Sequence, residues 1–306
     1  MKTNKKHYVS EETFKLQNTK TKQNYILKIE TDDCPENPRN WSNVTTMICW
    51  YRNYSLGDKH NFSNPYEFMQ HLYFVVMGKH WDDQYDNNDW EEIYKELNET
   101  NLVAIKLLNL YDHSGITIST SNSYPYNDMW DSSIVGFVYV TKKTAFEELV
   151  EYVLDENGER IKIEHKHPNG QSTWSYKTQE LTDDTWKKRA EEVIESEVKT
   201  YDQYLTNDVF GFTLSEIIPV YGCAECEEEI NVSELLTEKQ LSFDGKVHYY
   251  CPHCGAEIGV EDEETLNIIT LEELEEEVDN CWGFYGSCLE ENGILDHFSS
   301  DLEIIE

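Results

Sequence analysis

The sequence predicts an α+β fold: a mixed, largely antiparallel sheet with flanking helices, plus a zinc ribbon toward the C-terminus. Three observations predict it. Short β-branched or apolar runs are separated by Gly, Asn and Pro clusters; a few segments repeat apolar residues at helical spacing; and two Cys-x-x-Cys pairs lie 24 residues apart. Residues 1–23 are polar, basic and without periodicity, so a flexible arm is expected there. A first strand over Tyr25–Glu30 runs into Cys34-Pro35-Glu36-Asn37-Pro38-Arg39, where two prolines force an extended or turning path. After an apolar stretch at Met47–Tyr51, Pro65 opens a helix over 65–77 with Phe68, Leu72 and Val76 on one stripe. A shorter helix follows over Asn88–Leu97.

Leu102–Leu110, Ile116–Thr120 and Ile134–Val140 have the composition of strands. Thr144 and Glu147 have the spacing of a capping box, with Phe146, Leu149, Val150 and Val153 as the apolar face of a helix. Arg160–His165 reads as a hairpin arm. The longest helix is expected over Asp183–Leu205, with Trp186, Ala190, Val193 or Ile194, Tyr201 and Leu205 inward, and Val209–Val220 returns to strand. Leu271, Leu274 and Val278 keep a helical period through the glutamate run 272–277, which predicts an acidic amphipathic helix capped by Thr270 and Glu273. The expected division is a basic arm (1–23), an α+β core (24–220) and an acidic region (221–306) that begins with the ribbon (221–260).

Charge narrows the function. The 25 Lys and Arg against 60 Asp and Glu leave −35 over 306 residues, far beyond what solubility needs. From Tyr221 onward, 24 acidic residues face only Lys239 and Lys246, a net −22. Such a surface repels nucleic acid and attracts basic protein surfaces. Mean hydropathy is low at −0.68, yet 20 Tyr, 11 Phe and 8 Trp supply a core. A basic start without an apolar leader, and no run of about 18 apolar residues, point to the cytoplasm and away from membranes.

There, paired cysteines read as metal ligands. Cys223-Ala224-Glu225-Cys226 and Cys251-Pro252-His253-Cys254-Gly255 supply four soft donors for a structural zinc ion, and Leu241–Tyr250 between them suits a hairpin turning at Asp244-Gly245. A redox dithiol would need only one pair. Four sulfurs close the coordination shell, so the site is not a catalytic one. Cys34, Cys49, Cys281 and Cys288 read as buried apolar thiols.

No catalytic constellation stands out. Asp112-His113-Ser114 has the residue types of a triad, but sequence neighbours rarely form the relay. His60, His71 and His80 lack ligand spacing, and phosphate loops, nucleophile elbows and His-Glu-x-x-His stretches are absent. The chain therefore reads as a binding protein. Trp282, Phe284 and Tyr285 are the candidate aromatic anchors, and Glu272, Glu273, Glu275, Glu276 and Glu277 the candidate acidic contacts. The sequence is compatible with a homo-oligomer. The alternative is an enzyme acting on a nucleotide or protein, with Asp112, His113 and Asp58 as acid and base.

Three groups of motifs add a resemblance. Asn37-Pro38-Arg39-Asn40-Trp41-Ser42-Asn43 runs on to Leu56-Gly57-Asp58-Lys59-His60. Tyr111-Asp112-His113-Ser114-Gly115-Ile116 follows, and then Glu197-Val198 with Tyr201-Asp202 and Asp279-Asn280-Cys281-Trp282-Gly283-Phe284-Tyr285-Gly286. Together, across about residues 25–290, these resemble a family of uncharacterised proteins of phages and mobile elements. The resemblance implies a phage or prophage context and carries no reaction with it. Its implied role is disarming host defence, as the phage inhibitor of the Gabija complex does; by charge alone, acidic DNA-mimic antirestriction proteins are a second comparison. The implied partner is a host defence protein or nuclease complex with a basic surface, met in the host cytoplasm. A phage structural or assembly protein is the further alternative.

Overall fold

A computed structural model describes residues 7–81, 89–112, 115–120, 132–149, 151–166, 172–179, 181–231, 240–241, 247–260 and 266–305. Strands β1 (Glu12–Asn18) and β2 (Asn24–Thr31) open the chain, and β3 (Thr46–Cys49) follows. Helices α1 (Pro65–Met77) and α2 (Trp90–Glu99) precede strands β4 (Val103–Asp112), β5 (Ile116–Ser119) and β6 (Ser132–Thr141). Helix α3 (Lys142–Glu148) leads to β7 (Glu151–Tyr152), β8 (Lys162–Lys166), β9 (Ser172–Tyr176) and β10 (Thr178–Gln179). After helix α4 (Trp186–Leu205) come β11 (Val209–Cys223), β12 (Gln240–Leu241), β13 (Val247–Tyr250), β14 (Glu257–Val260), the long β15 (Ile268–Tyr285) and β16 (Leu302–Ile304). The class is α+β with antiparallel sheets and flanking helices. No described helix is long and apolar enough to cross a membrane.

The chain forms two compact units, Cys34–Asp208 and the combination of 1–33 with 209–306. In the first, the antiparallel sheet β3-β6-β4-β5 is covered on both faces. Helices α1 and α2 bury Phe68, Met69, Leu72, Ile93 and Leu97 against Ile105 and Phe137. On the other face α4 buries Trp186, Ala190, Ile194, Val198 and Tyr201 against Met47, Ala104 and Val138. A sheet dry on both sides needs apolar residues at consecutive positions, which is why β4 reads Val103-Ala104-Ile105 without alternation. Local signals agree: Asn64 caps α1 by accepting from Glu67 N at 2.9 Å, Pro65 occupies its first turn, and Gly78 ends it at φ 70°.

A polar network joins three of the quoted motifs inside this unit. The Arg39 side chain is 3% exposed; its Nε and Nη2 donate to the two oxygens of Asp58, each at 2.9 Å, and Nη1 donates to Glu197 at 3.2 Å. Glu197 also accepts from the backbone N–H groups of Val44 and Thr45. Burial would lower the pKa of Arg39, but the two carboxylates outweigh it and hold it above the ordinary value. A buried charge with every partner in place holds its surroundings in register, because removing one partner strands the others in low dielectric.

The second unit is a five-stranded antiparallel sheet, β15-β11-β2-β1-β16. Leu16, Leu27, Ile29, Phe210, Phe212, Leu214 and Phe284 fill one face, closed by Leu289 and Ile294. Both chain ends therefore belong to the same sheet, and two expectations are corrected. The supposed flexible arm holds β1, paired with β2 and β16, while Val9 donates to Ser287 O at 2.8 Å. The boundary expected at 220/221 falls instead at 208/209, because β11 pairs with β2.

Two helices also differ from expectation. The glutamate run lies in β15, not in an amphipathic helix. A helix would bring Glu272 to Glu276 and Glu273 to Glu277 at four-residue spacing, where like charges repel by about 0.2–0.5 kcal/mol per pair; a strand sends neighbours to opposite faces and adds a ladder with β11. Helix α3 begins one turn early: Thr141 is its cap, accepting from Thr144 N at 3.1 Å. Ala145 is its buried residue and Phe146 stays 45% exposed, because the chain turns into β7 just after Leu149. Val150, expected on that face, lies outside the described residues.

Asp202, at the end of α4, accepts from Thr117 Oγ1 at 2.6 Å and Ile118 N at 2.7 Å, both on Oδ1. Burial raises its pKa above the ordinary carboxylate value despite those two bonds. A raised folded pKa makes the ionised form costly, so Asp202 favours the fold most below its unfolded pKa, and that contribution is lost as pH rises through the folded value. Asp202→Asn keeps an oxygen for both donors. Melting curves should show the variant gaining stability relative to the parent between mildly acidic and neutral pH, with no gain well below the carboxylate range.

Candidate metal centre

The centre sits between β11 and β15. These strands pair all the way to Cys223↔Ile268, past the end of β2, so residues 224–267 form an insert carried by a long two-stranded ladder. Cys223 is the last residue of β11, so the ladder itself delivers the first sulfur. The sulfurs of Cys223, Cys226, Cys251 and Cys254 all lie within 4.8 Å of one another. Among the described residues no other His, Cys, Asp and Glu group has this geometry.

The two cysteine turns repeat each other. In the first, Glu225 N points at Cys223 Sγ at 3.4 Å and Glu227 N donates to Cys223 O at 2.8 Å. In the second, His253 N points at Cys251 Sγ at 3.4 Å and Gly255 N donates to Cys251 O at 2.9 Å. Each turn closes on a left-handed residue, Gly255 at φ 75° and Glu227 at φ 59°. Glycine holds that conformation without strain, whereas Glu227 carries about 1–2 kcal/mol. His253 Nε2 lies 3.1 Å from Glu229 O and ties the second turn to the first. The role of Glu227 is missing from the sequence reading; its signal is its place, one after the second cysteine, where the other turn has glycine.

Sulfur spacing tests the fit to a metal. The Cys223–Cys254 and Cys226–Cys251 sulfurs are 3.8 and 3.7 Å apart. That is too long for a disulfide and close to the edge of about 3.8 Å of a tetrahedron with metal–sulfur bonds of about 2.3 Å. Thiolate formation is favoured at Cys251: burial pushes it up, but the N–H groups of Cys254 and His253 and two neighbouring thiols bring it down to about 6. The Glu228 N–H draws Cys226 down, yet burial and its thiol neighbours outweigh it and push it up to about 12. Four thiols cannot all ionise together without a cation, so a metal would displace their last protons.

Comparisons with protein-family models, with curated proteins and with solved structures find no match for this chain.

Other predicted site residues are scattered. Glu272, Glu273, Glu275, Glu276 and Glu277 are exposed along β15, and Lys28 reaches Glu275 at 2.6 Å. The three aromatic anchors do not form one surface. Gly283, at φ 88°, sits where the β11–β15 register shifts, so Trp282 and Phe284 no longer share a face. Phe284 enters the core beside Phe212, Tyr285 is half-buried, and Trp282 stays 46% exposed while covering Gly211, where a Cβ would come within 2.1 Å of its ring.

Acid–base candidates are engaged elsewhere. Asp58 borders an open cavity of about 750 Å³, but its oxygens are held by Arg39 and by Met47 N at 2.8 Å. Asp112 accepts from Tyr51 OH at 2.6 Å, which raises the pKa of that phenol. His113 and Ser114 lie outside the described residues. His60 contacts Cys49 O at 2.9 Å, whereas His71 and His80 pack on Phe62 and Phe74. Cys34 is exposed, against expectation, because it follows the sheet in the turn before Pro35; Cys49 and Cys288 are buried and Cys281 is half-buried.

Native mass spectrometry should find one divalent ion per chain, absent after Cys251→Ser with Cys254→Ser. Cobalt replacement should give thiolate charge-transfer and tetrahedral d–d bands. A metal-free chain purified under reducing conditions would remove the assignment.

Proposed function

We propose that this chain is a binding protein that occupies a basic, nucleic-acid-binding protein surface, acting for a phage against a host defence complex. The carrying observation is the outermost strand β15, which holds Glu272, Glu273, Glu275, Glu276, Glu277 and Asp279 exposed along its length. Zinc is the ion we assign to the cysteine centre. It accepts four thiolates without a ligand-field preference, and the closed shell makes its role structural. Four thiolates around one Zn²⁺ would leave the site at −2, in keeping with the acidity of the unit around it. In this reading the zinc anchors the far end of the β11–β15 ladder and so holds the acidic strand extended. The same carboxylates also blunt an exposed sheet edge, a role that requires no partner.

Electrostatic complementarity contributes mostly to association rate and to specificity, so the interaction should weaken steeply with salt. Tagged protein incubated with a bacterial host lysate should retain a DNA- or RNA-processing protein at low salt and release it at high salt. Replacing the five glutamates 272, 273, 275, 276 and 277 by glutamine should abolish retention and restore nucleic-acid binding to the captured protein. Retention that the glutamine variant leaves unchanged, or no retention of such a protein, would overturn the proposal.

A further inference from the structure

The loop that follows β3 is pinned at its foot and open at its tip. Gly57, at φ 67°, bridges back to Ile48 and donates to the Tyr201 hydroxyl at 3.1 Å, and a Cβ there would come within 2.6 Å of Met47 O. Asp58 N donates to Met47 O at 2.7 Å, Trp50 Nε1 donates to Phe62 O at 3.0 Å, and His60 Nε2 lies 2.9 Å from Cys49 O. The Arg39–Asp58 pair locks the same foot. Between these anchors Arg52, Asn53, Tyr54 and Ser55 are exposed. Side chains on a loop that a rigid frame holds are suited to binding, because little order is lost when a ligand is captured.

This loop walls the open cavity of about 750 Å³, to which it contributes Tyr51, Arg52, Tyr54 and Lys59. That volume falls within the range of about 300–1,000 Å³ of small-molecule sites. Tyr51 and Tyr54 lie parallel, 4° apart with ring centroids at 6.0 Å, and Asp112 holds the Tyr51 hydroxyl at 2.6 Å. Tyr54 keeps 47% of its surface exposed, a fixed face on which another flat ring can stack. Among the described lining residues the only carboxylate is Asp58, already taken by Arg39. Arg52 and Lys59 therefore leave the wall positive within a chain of −35. Two other cavities differ. The one at Val75, Leu102 and Phe146 has its Lys142 paired with Asp183 at 2.9 Å, and the one at Leu16 and Phe298 is rimmed by Glu290, Asp296 and Glu303.

We propose that this cavity binds a free mononucleotide, with the base stacked on Tyr54 and the phosphate held by Arg52 and Lys59. A flat ring and a compact anion in one molecule match what the wall supplies, an aromatic face beside two cations. Arginine donates to phosphate through a planar fork, and stacking on an aromatic ring tolerates any base. Charge separates a free nucleotide from a nucleic-acid strand. A strand would carry further phosphates past the cavity onto a surface that repels them, whereas a mononucleotide keeps all its charge beside Arg52 and Lys59. The cavity lies within Cys34–Asp208 and takes nothing from β15, so this binding stands apart from the capture of a basic partner.

Isothermal titration calorimetry of the full chain with each of the common ribonucleoside 5′-monophosphates tests this. The expected result is saturable binding of at least one of them, one per chain, with its nucleoside and inorganic phosphate each weaker by about tenfold or more. Arg52→Ala together with Lys59→Ala should weaken that binding by about tenfold or more, and Tyr54→Ala by about tenfold, while Tyr54→Phe keeps it. All three side chains are exposed, so circular dichroism and metal content should not change. No saturation by any of these nucleotides at millimolar concentration overturns the proposal. So does binding that the alanine variants leave unchanged, binding of the nucleoside or of inorganic phosphate as tight as that of the nucleotide, or tighter binding of a single-stranded oligonucleotide.

Discussion

The convergence of four sulfurs at the end of one strand pair is the constraint on which the 209–306 region rests. Among the described residues, Ile230, Val247, Tyr249, Cys251 and Ile258 of the insert between β11 and β15 are buried, together with Cys223 at the end of β11. Two of those six are sulfur donors. Folding units of about 40 residues generally need a staple beside their apolar core. A metal bound by the four thiolates supplies one, and its binding free energy becomes folding free energy. Because Cys223 ends β11 and Ile268 begins β15, whatever orders the insert also fixes the distal ladder and the line along which the acidic side chains are presented.

The 34–208 unit is held by a different kind of constraint. Arg39, Asp58 and Glu197 come from three distant segments and meet as a largely buried charge cluster, with Tyr201 OH accepting from Gly57 N at 3.1 Å beside it. Arg39, Asp58 and Glu197 therefore serve the architecture here. Asp58 borders a cavity, yet both its oxygens are engaged by Arg39 and Met47 N. The two units differ in character, one with a dry core and a largely buried ion-pair cluster, the other with a four-cysteine cluster and an acidic edge.

Much of this was legible in the sequence where the signal is local. The period of Phe68, Leu72 and Val76, the inward stripe of Trp186, Ala190 and Ile194, and the paired cysteine turns each follow from a few neighbouring residues. What was not legible depends on distant pairing. Nothing within 12–18 says that β1 lies between β2 and β16, since that strand is decided by residues at the far end of the chain. Leu271, Leu274 and Val278 mimic a helix because two of them sit at register shifts of the β11–β15 ladder, which disguise the alternation of a strand. The same effect at Gly283 separates Trp282 from Phe284.

Hydrogen–deuterium exchange with and without a chelator tests most directly the claim that metal binding organises the acidic strand. Chelation should expose amides in β13 and β14 and in the distal ladder, Ile217–Cys223 with Ile268–Glu275, while Cys34–Asp208 keeps its protection. Unchanged protection of the distal ladder after complete metal removal would contradict it.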